Sequence, residues 1–266
     1  MKLTGYMQRV VLTAIILLAF PTVSRAEDCN QDNLSKVIGD EECLQIHTFG
    51  AESGNSGKPL VVFIHGDGSG GGPSDYMKPY AEKVAAQGGI GVVLIRPGYF
   101  DDAGNHSTGY SYREKGDGYR QDIIDSVAGA ISSLKSFHGS AKVVLAGHSG
   151  GAAISGVILG QKPDLADAAV LASCPCNVSL WRRQNNRGKW PHSRSPHNYV
   201  DGIRKNVLLT ALTGSDDTNT KPNLSESYIQ ELLKQGVAAK FILVDGASHN
   251  GVLRGDEFMG AVLGYL

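Results

Sequence analysis

Leu145-Ala146-Gly147-His148-Ser149-Gly150-Gly151-Ala152-Ala153 is the stretch on which the architecture of this 266-residue chain turns. It continues the apolar run Ala141 to Ala146, which has the length and valine content of a buried strand, and it leads into small and apolar residues that read as the start of a helix. A serine at so tight a strand-to-helix turn is lifted out of the sheet. The flanking glycines permit a strained backbone there, and the helix N-terminus places amide donors beside the hydroxyl. Gly147 to Gly151 satisfy G-x-S-x-G, but an ordinary N-cap serine fits the same letters. The pattern therefore gains its weight from what surrounds it.

Working outward, five further apolar runs read as strands: Leu60–His65, Gly91–Arg96, Ala168–Ala172, Val207–Leu212 and Lys240–Val244. Amphipathic stretches separate them; in one, Ile123, Val127, Ile131 and Leu134 fall on a single helical face. This alternation predicts an α/β fold, a mostly parallel central sheet with helices on both faces. A single domain is expected over residues 27–266. The strands end in glycine or small polar clusters, where open α/β sheets place their sites.

The composition is globular, 41% hydrophobic and 19% charged, and excludes a disordered tail or a collagen-like fibre. A formal net charge of -1 gives no global field for nucleic acid or an anionic membrane, so neither is expected as a partner. Residues 1–26 read as a secretory signal: Lys2 and Arg9 lead, Val10 to Phe20 are apolar, and Ser24-Arg25-Ala26 suits cleavage after Ala26. The apolar run ends at Pro21, short of the ~20 residues of a membrane span. A secreted or periplasmic protein without stable membrane insertion is expected. Cleavage removes three of the 25 basic residues and none of the 26 acidic ones, leaving the mature chain at -4. All four cysteines follow the signal, in a compartment where disulfides persist. Of the three possible pairings, Cys29 with Cys43 and Cys174 with Cys176 is the one expected. No histidine or cysteine pair at metal-ligand spacing accompanies Cys174 and Cys176, so no metal is expected.

A serine hydroxyl needs a histidine to take its proton, and the histidine needs a carboxylate to hold its tautomer. Both follow Ser149 in the chain. Thr213-Gly214-Ser215-Asp216-Asp217 comes after one strand, and Asp245-Gly246-Ala247-Ser248-His249 comes after the next. His249 is the only histidine beyond those aspartates.

With these three groups at three strand ends, the sequence resembles the α/β-hydrolase family, the superfamily of serine esterases, lipases and prolyl-oligopeptidase-like enzymes, from about residue 44 onward. The resemblance implies Ser149 as nucleophile and His249 as base. It favours Asp217 as the acid, three residues after Gly214, over Asp216 and Asp245. His65-Gly66-Asp67-Gly68-Ser69-Gly70-Gly71-Gly72 looks like the family's H-G-x loop, which assigns the oxyanion donors to the amides of Asp67, with Gly68 as substitute, and Gly150. That loop lacks the endings of a P-loop or a dinucleotide fingerprint. His65 and His148 are assigned structural roles, and Asp101, Asp102, His106 and Ser107 are read as solvated loop residues.

The family often inserts a cap before the strand that carries its acid, and here residues 178–205 form a short one. They hold seven basic residues against the single acid Asp201, together with both tryptophans. Trp181, Arg182 and Arg183 are the expected substrate contacts, and an anionic substrate is one consequence. The implied activity is a secreted serine hydrolase that cleaves a carboxylic ester through an acyl-enzyme, without metal or organic cofactor. The lack of a preceding propeller tilts the expectation toward an esterase of small acyl substrates. A peptidase or amidase of the same fold, and a silent binding module, are the competing readings; the substrate is a small molecule or a peptide.

Overall fold

β5 (Val143–His148) is buried at all six positions, and the sheet extends from it in both directions. On one side it pairs in parallel with β3 (Leu60–Ile64), which pairs in parallel with β4 (Ile90–Leu94). On the other, β6 (Ala168–Ala172), β7 (Leu208–Gly214) and β8 (Ala238–Val244) follow in parallel. An antiparallel pair, β1 (Lys36–Gly39) and β2 (Glu42–Phe49), is added to β4, giving the order β1-β2-β4-β3-β5-β6-β7-β8. The coordinates are a computed structural model that describes residues 1, 29–68, 71–112 and 117–266. The expected signal and its cleavage point lie outside the described residues, apart from Met1, as do Ser69 and Gly70 of the glycine-rich loop.

Strand alternation divides the core between the two faces of the sheet. Leu60, Val62 and Ile64 belong to the core on the face covered by α2 (Gln121–His138), α3 (Gly150–Gln161) and α5 (Pro222–Lys234). Val61 and Phe63 belong to the core on the face covered by α1 (Lys78–Ala86) and α6 (Asp256–Leu263). Ile123, Val127, Ile131 and Leu134 form the buried face of α2. The mostly parallel sheet with helices on both faces is therefore present, with two refinements. β5 runs two residues later than its apolar run, so Gly147 and His148 belong to the strand and Ser149 follows it at once. The β1–β2 hairpin carries Lys36, Glu42, Gln45 and His47 among its apolar residues and gave no clean period in the sequence.

Between β6 and β7 the cap contains α4 (Val178–Gln184) and a 3₁₀ helix at Pro196–Gly202. It is strapped onto α3, where a Cβ at Gly160 would collide with the Tyr199 carbonyl and one at Gly156 would lie 2.9 Å from Pro196. Cys29 is bridged to Cys43, tying the N-terminal arm to β2 with a Cα separation of 5.7 Å. Cys174 is bridged to Cys176 across the turn that leaves β6. Asp101 and Ser107 correct their reading as solvated: both are buried, Asp101 3.4 Å from His47 Nε2, and Ser107 donating to the Ile95 carbonyl at 2.6 Å. Their polar letters hid partners distant in sequence. No helix among the described residues is long and apolar enough to cross a membrane.

The approach of α3 to β3 is close enough that a Cβ on Gly151 would strike the Ile64 carbonyl. Gly151→Ala is expected to destabilise the protein by about 1–3 kcal/mol, lowering Tm by several degrees. Gly188→Ala, where a Cβ meets nothing within 4 Å, serves as the neutral control in the same thermal melts.

Candidate active site

Ser149 sits at the end of β5 with φ 52° and ψ -115°, a left-handed conformation that a non-glycine residue holds only under constraint. The constraint comes from its neighbours. A Cβ on Gly147 would lie 2.6 Å from Ala152, and one on Gly150 would collide with the Asp67 carboxylate. The Ser149 N–H donates to the Ala172 carbonyl of β6 at 2.8 Å, and its own carbonyl accepts from Ala153 at 3.1 Å. The side chain is thus held at the mouth of a cleft of about 840 Å³.

His249 Nε2 lies 3.0 Å from Ser149 Oγ, and its Nδ1 lies 2.8 Å from Asp217 Oδ2. A carboxylate can only accept, so Nδ1–H is the donor and Nε2 is left to accept the Ser149 O–H. Asp217 is buried and its oxygens are filled: Oδ1 accepts from the N–H groups of Asn219 at 2.9 Å and Thr220 at 2.8 Å. Oδ2 also accepts from the Thr220 hydroxyl at 2.7 Å. Burial opposes the charge on Asp217, but the hydrogen bonds from His249 and Thr220 outweigh it and hold the carboxyl below the usual range. Gly214 has a reason of its own, because a Cβ there would collide with the Ala247 carbonyl and push the histidine loop away from the acid loop. Asp216 is exposed, with Ser215 Oγ 3.2 Å from its Oδ1, and Asp245 is exposed as well.

The histidine loop is fixed from behind. The His249 carbonyl accepts from Ser173 Oγ at 3.0 Å and from His148 Nε2 at 3.1 Å. His148 Nδ1 is therefore the acceptor side, and it receives the Tyr76 hydroxyl at 2.7 Å. The same hydroxyl accepts the Gly66 N–H at 2.8 Å, so Tyr76 and His148 link the glycine-rich loop to the histidine loop. Burial, with the imidazole of His249 beside it, pushes the His148 pKa down to about 4 and keeps the ring neutral. His65 is likewise neutral, held well below its ordinary value by burial and by Arg96; its Nε2 accepts the Arg96 N–H at 2.9 Å.

Gly66 and Asp67 pass directly over Ser149, where a Cβ on Gly66 would lie 3.1 Å from the serine Cβ. The Asp67 carboxylate is anchored by Arg96 Nη1 at 3.0 Å and by the Tyr119 hydroxyl at 2.7 Å. Gly150 opens α3, so its N–H has no partner within the helix. Among the described residues no three His, Cys, Asp or Glu side chains are placed to hold a metal ion.

The cap forms one wall of the cleft through Trp181, Arg182, Arg187 and Trp190. The two indole centroids are 5.2 Å apart, and Tyr119 packs 5.1 Å from Trp190. Arg183 departs from its expected place: it is exposed and does not line the cleft, because neighbours on a helix point about 100° apart. Tyr76, Tyr119, Asn219 and Thr220 were not legible as site residues. Thr220 alone left a local signal, a hydroxyl three residues after an aspartate in a turn.

The prolyl oligopeptidase family model matches residues 77–259. No curated protein matches by sequence. Among solved structures, the esterase Pf2001 of Pyrococcus furiosus is similar at 16% identity and a TM-score of 0.65, over 87% of this chain and 90% of that one. Est1E of Butyrivibrio proteoclasticus, bound to ferulic acid, is similar at 14% identity and a TM-score of 0.62, over 86% and 98%. The acylaminoacyl peptidase of Pyrococcus horikoshii, at 17% identity and 0.62, is covered over 39% of its length and 86% of this chain. With well over half of its residues matched by the family model and its fold shared with these esterase and peptidase structures, the chain belongs to the prolyl oligopeptidase family and is a serine hydrolase.

Proposed function

We propose that this protein is a secreted esterase that hydrolyses carboxylic esters through an acyl-enzyme on Ser149, with His249 as general base and acid and Asp217 as the carboxylate partner. The observation that carries the reading is the unbroken chain from Ser149 Oγ to His249 Nε2, 3.0 Å, and from His249 Nδ1 to Asp217 Oδ2, 2.8 Å. Ser149 Oγ attacks the ester carbonyl carbon while its proton passes to His249 Nε2. The resulting oxyanion accepts from the amides of Asp67 and Gly150. Collapse breaks the bond to the leaving alkoxide, which takes the proton from His249. Water then adds to the acyl carbonyl while one of its protons passes to His249 Nε2; collapse breaks the bond between Ser149 Oγ and the acyl carbon, Oγ takes the proton back from His249, and the acid leaves. Asp217 stays ionised throughout, as its filled hydrogen bonds favour.

An ester is put first because two of the similar structures, matched over nearly all of their chains, are esterases. The peptidase reading rests on the same three residues and on the family itself, and kcat/KM on matched esters and aminoacyl amides separates the two. Secretion draws its support from the leader and from the two disulfides, and a mature N-terminus at Glu27, with residues 27–266 as one catalytic domain, is the expected product.

A fluorophosphonate probe is expected to label one serine, with labelling abolished in both Ser149→Ala and His249→Ala; full labelling of Ser149→Ala would remove the mechanism. Asp217→Asn is expected to lower kcat by about 10⁴ through the wrong histidine tautomer, whereas Asp216→Asn stays near wild type. The opposite ranking on the same ester reassigns the acid. Tyr76→Phe keeps the ring and removes the hydroxyl shared by Gly66 and His148. It is expected to reduce kcat roughly tenfold with KM little changed, and a raised KM with kcat little changed would make Tyr76 a substrate contact instead.

A further inference from the structure

The cap wall of the cleft carries charge that the described residues do not neutralise. Arg182 lies over the tryptophan pair, its guanidinium carbon 4.6 Å from the Trp190 ring centre and 5.4 Å from that of Trp181. Its Nε donates to the Gly188 carbonyl at 2.8 Å. After α4 the chain reverses at Asn186, with φ 52°, and the Arg187 N–H donates to the Arg182 carbonyl at 2.9 Å. That reversal brings a second guanidinium onto the same wall, 5.6 Å from the Trp181 ring centre. Among the described residues no carboxylate stands within 4.0 Å of either cation. Burial and the Arg187 charge both act against the charge on Arg182 and hold its pKa below the ordinary arginine value.

Among the described residues, the acidic groups that line the cleft are already occupied. Asp67 is taken by Arg96 and Tyr119, and Asp117 accepts from the Ser193 hydroxyl and from the His192 N–H at 3.0 Å. Arg254 adds a further cation on the rim. The described lining is thus net cationic, Arg182, Arg187 and Arg254 against Asp67 and Asp117, in a mature chain whose net charge is -4. Two like charges held together in a partly desolvated wall repel, and an anion between them relieves the repulsion.

We infer that the substrate hydrolysed at Ser149 carries a carboxylate that pairs with Arg182 and Arg187. This rests on the reading of Ser149 as the nucleophile. With its Nε on the Gly188 carbonyl, the Arg182 guanidinium over the indole keeps its two Nη groups for end-on, in-plane, bidentate pairing, the geometry that a planar carboxylate matches and an ammonium would not provide. The structure changes the pair expected from sequence, with Arg187 in place of Arg183.

Two matched ester pairs test it. The para-nitrophenyl monoester of adipic acid against its methyl-capped diester places the charge on the acyl side. The acetate of para-hydroxybenzoate against that of its methyl ester places it on the leaving group. Each kcat/KM is divided by the uncatalysed rate and measured at low and high ionic strength. The wild type is expected to favour the anionic member of at least one pair by about tenfold at low salt. The preference should shrink with salt and fall toward one in Arg187→Gln and in the Arg182→Gln, Arg187→Gln double variant. Arg187 is exposed on the rim, so the single variant retains the fold if the Trp181 and Trp190 packing does not tolerate loss of Arg182. Ratios at or below one for both pairs, with neutral esters still turned over and lost in Ser149→Ala, overturn the inference and leave the hydrolase reading intact. No turnover of any ester and no fluorophosphonate labelling would remove the hydrolase reading, and this inference with it.

Discussion

The close approach of the α3 N-terminus to β3 and β5 is the constraint on which the site depends. Three glycines make it possible, since side chains at 147, 150 and 151 would each strike backbone or the Asp67 carboxylate. The turn between β5 and α3 must then be so tight that Ser149 is forced to positive φ, a strain of order 1–3 kcal/mol. The strain is sustained because β5 is buried along its whole length and α3 is buried over its first ten residues, so the turn has nowhere to relax. In return the hydroxyl stands clear of the sheet, with the first amide of a helix beside it.

Everything else around Ser149 is held by buried polar groups whose hydrogen bonds are mutually consistent. Asp217 is filled by Thr220, Asn219 and His249, which leaves it no reason to take a proton. His148 is neutral and one-directional, accepting from Tyr76 and donating to the His249 carbonyl, so the two loops that meet over Ser149 are tied to each other. Arg96 is fully buried, a costly place for a charge, and burial works against it. Asp67, with the Tyr99 and Tyr119 rings beside it, more than compensates and holds its pKa above the ordinary value. The consequence is a glycine-rich loop pinned at Asp67 rather than left to its own flexibility.

The cap uses the same device of close approach. Gly156 and Gly160 remove two side chains from α3, the 3₁₀ helix at Pro196–Gly202 settles onto that helix, and α4 is left to present Trp181 and Arg182 toward the cleft. A rigid body and a short inserted wall thus divide the structure, the first holding Ser149, His249 and Asp217 together and the second walling the cleft beside them.

The parallel strands, the buried face of α2 and the chain order of Ser149, Asp217 and His249 were all legible in the linear chain, because each is written in local periodicity or in short-range punctuation by glycine. The β1–β2 hairpin was not, since its half-exposed strands mix charged with apolar residues. The preference for Asp217 over Asp216 acquires a physical basis only in three dimensions, where one carboxylate is buried against His249 and the other faces solvent. Tyr76 and Arg187 reach the cleft, and the buried Tyr119 reaches Asp67, from turns and segments whose positions depend on contacts far along the chain. Arg183, one residue from Arg182, is carried away from it by the pitch of a helix. Local chemistry names the groups that can react; which of them meet depends on long-range packing, because a side chain's neighbours across a cleft leave no trace in the residues beside it.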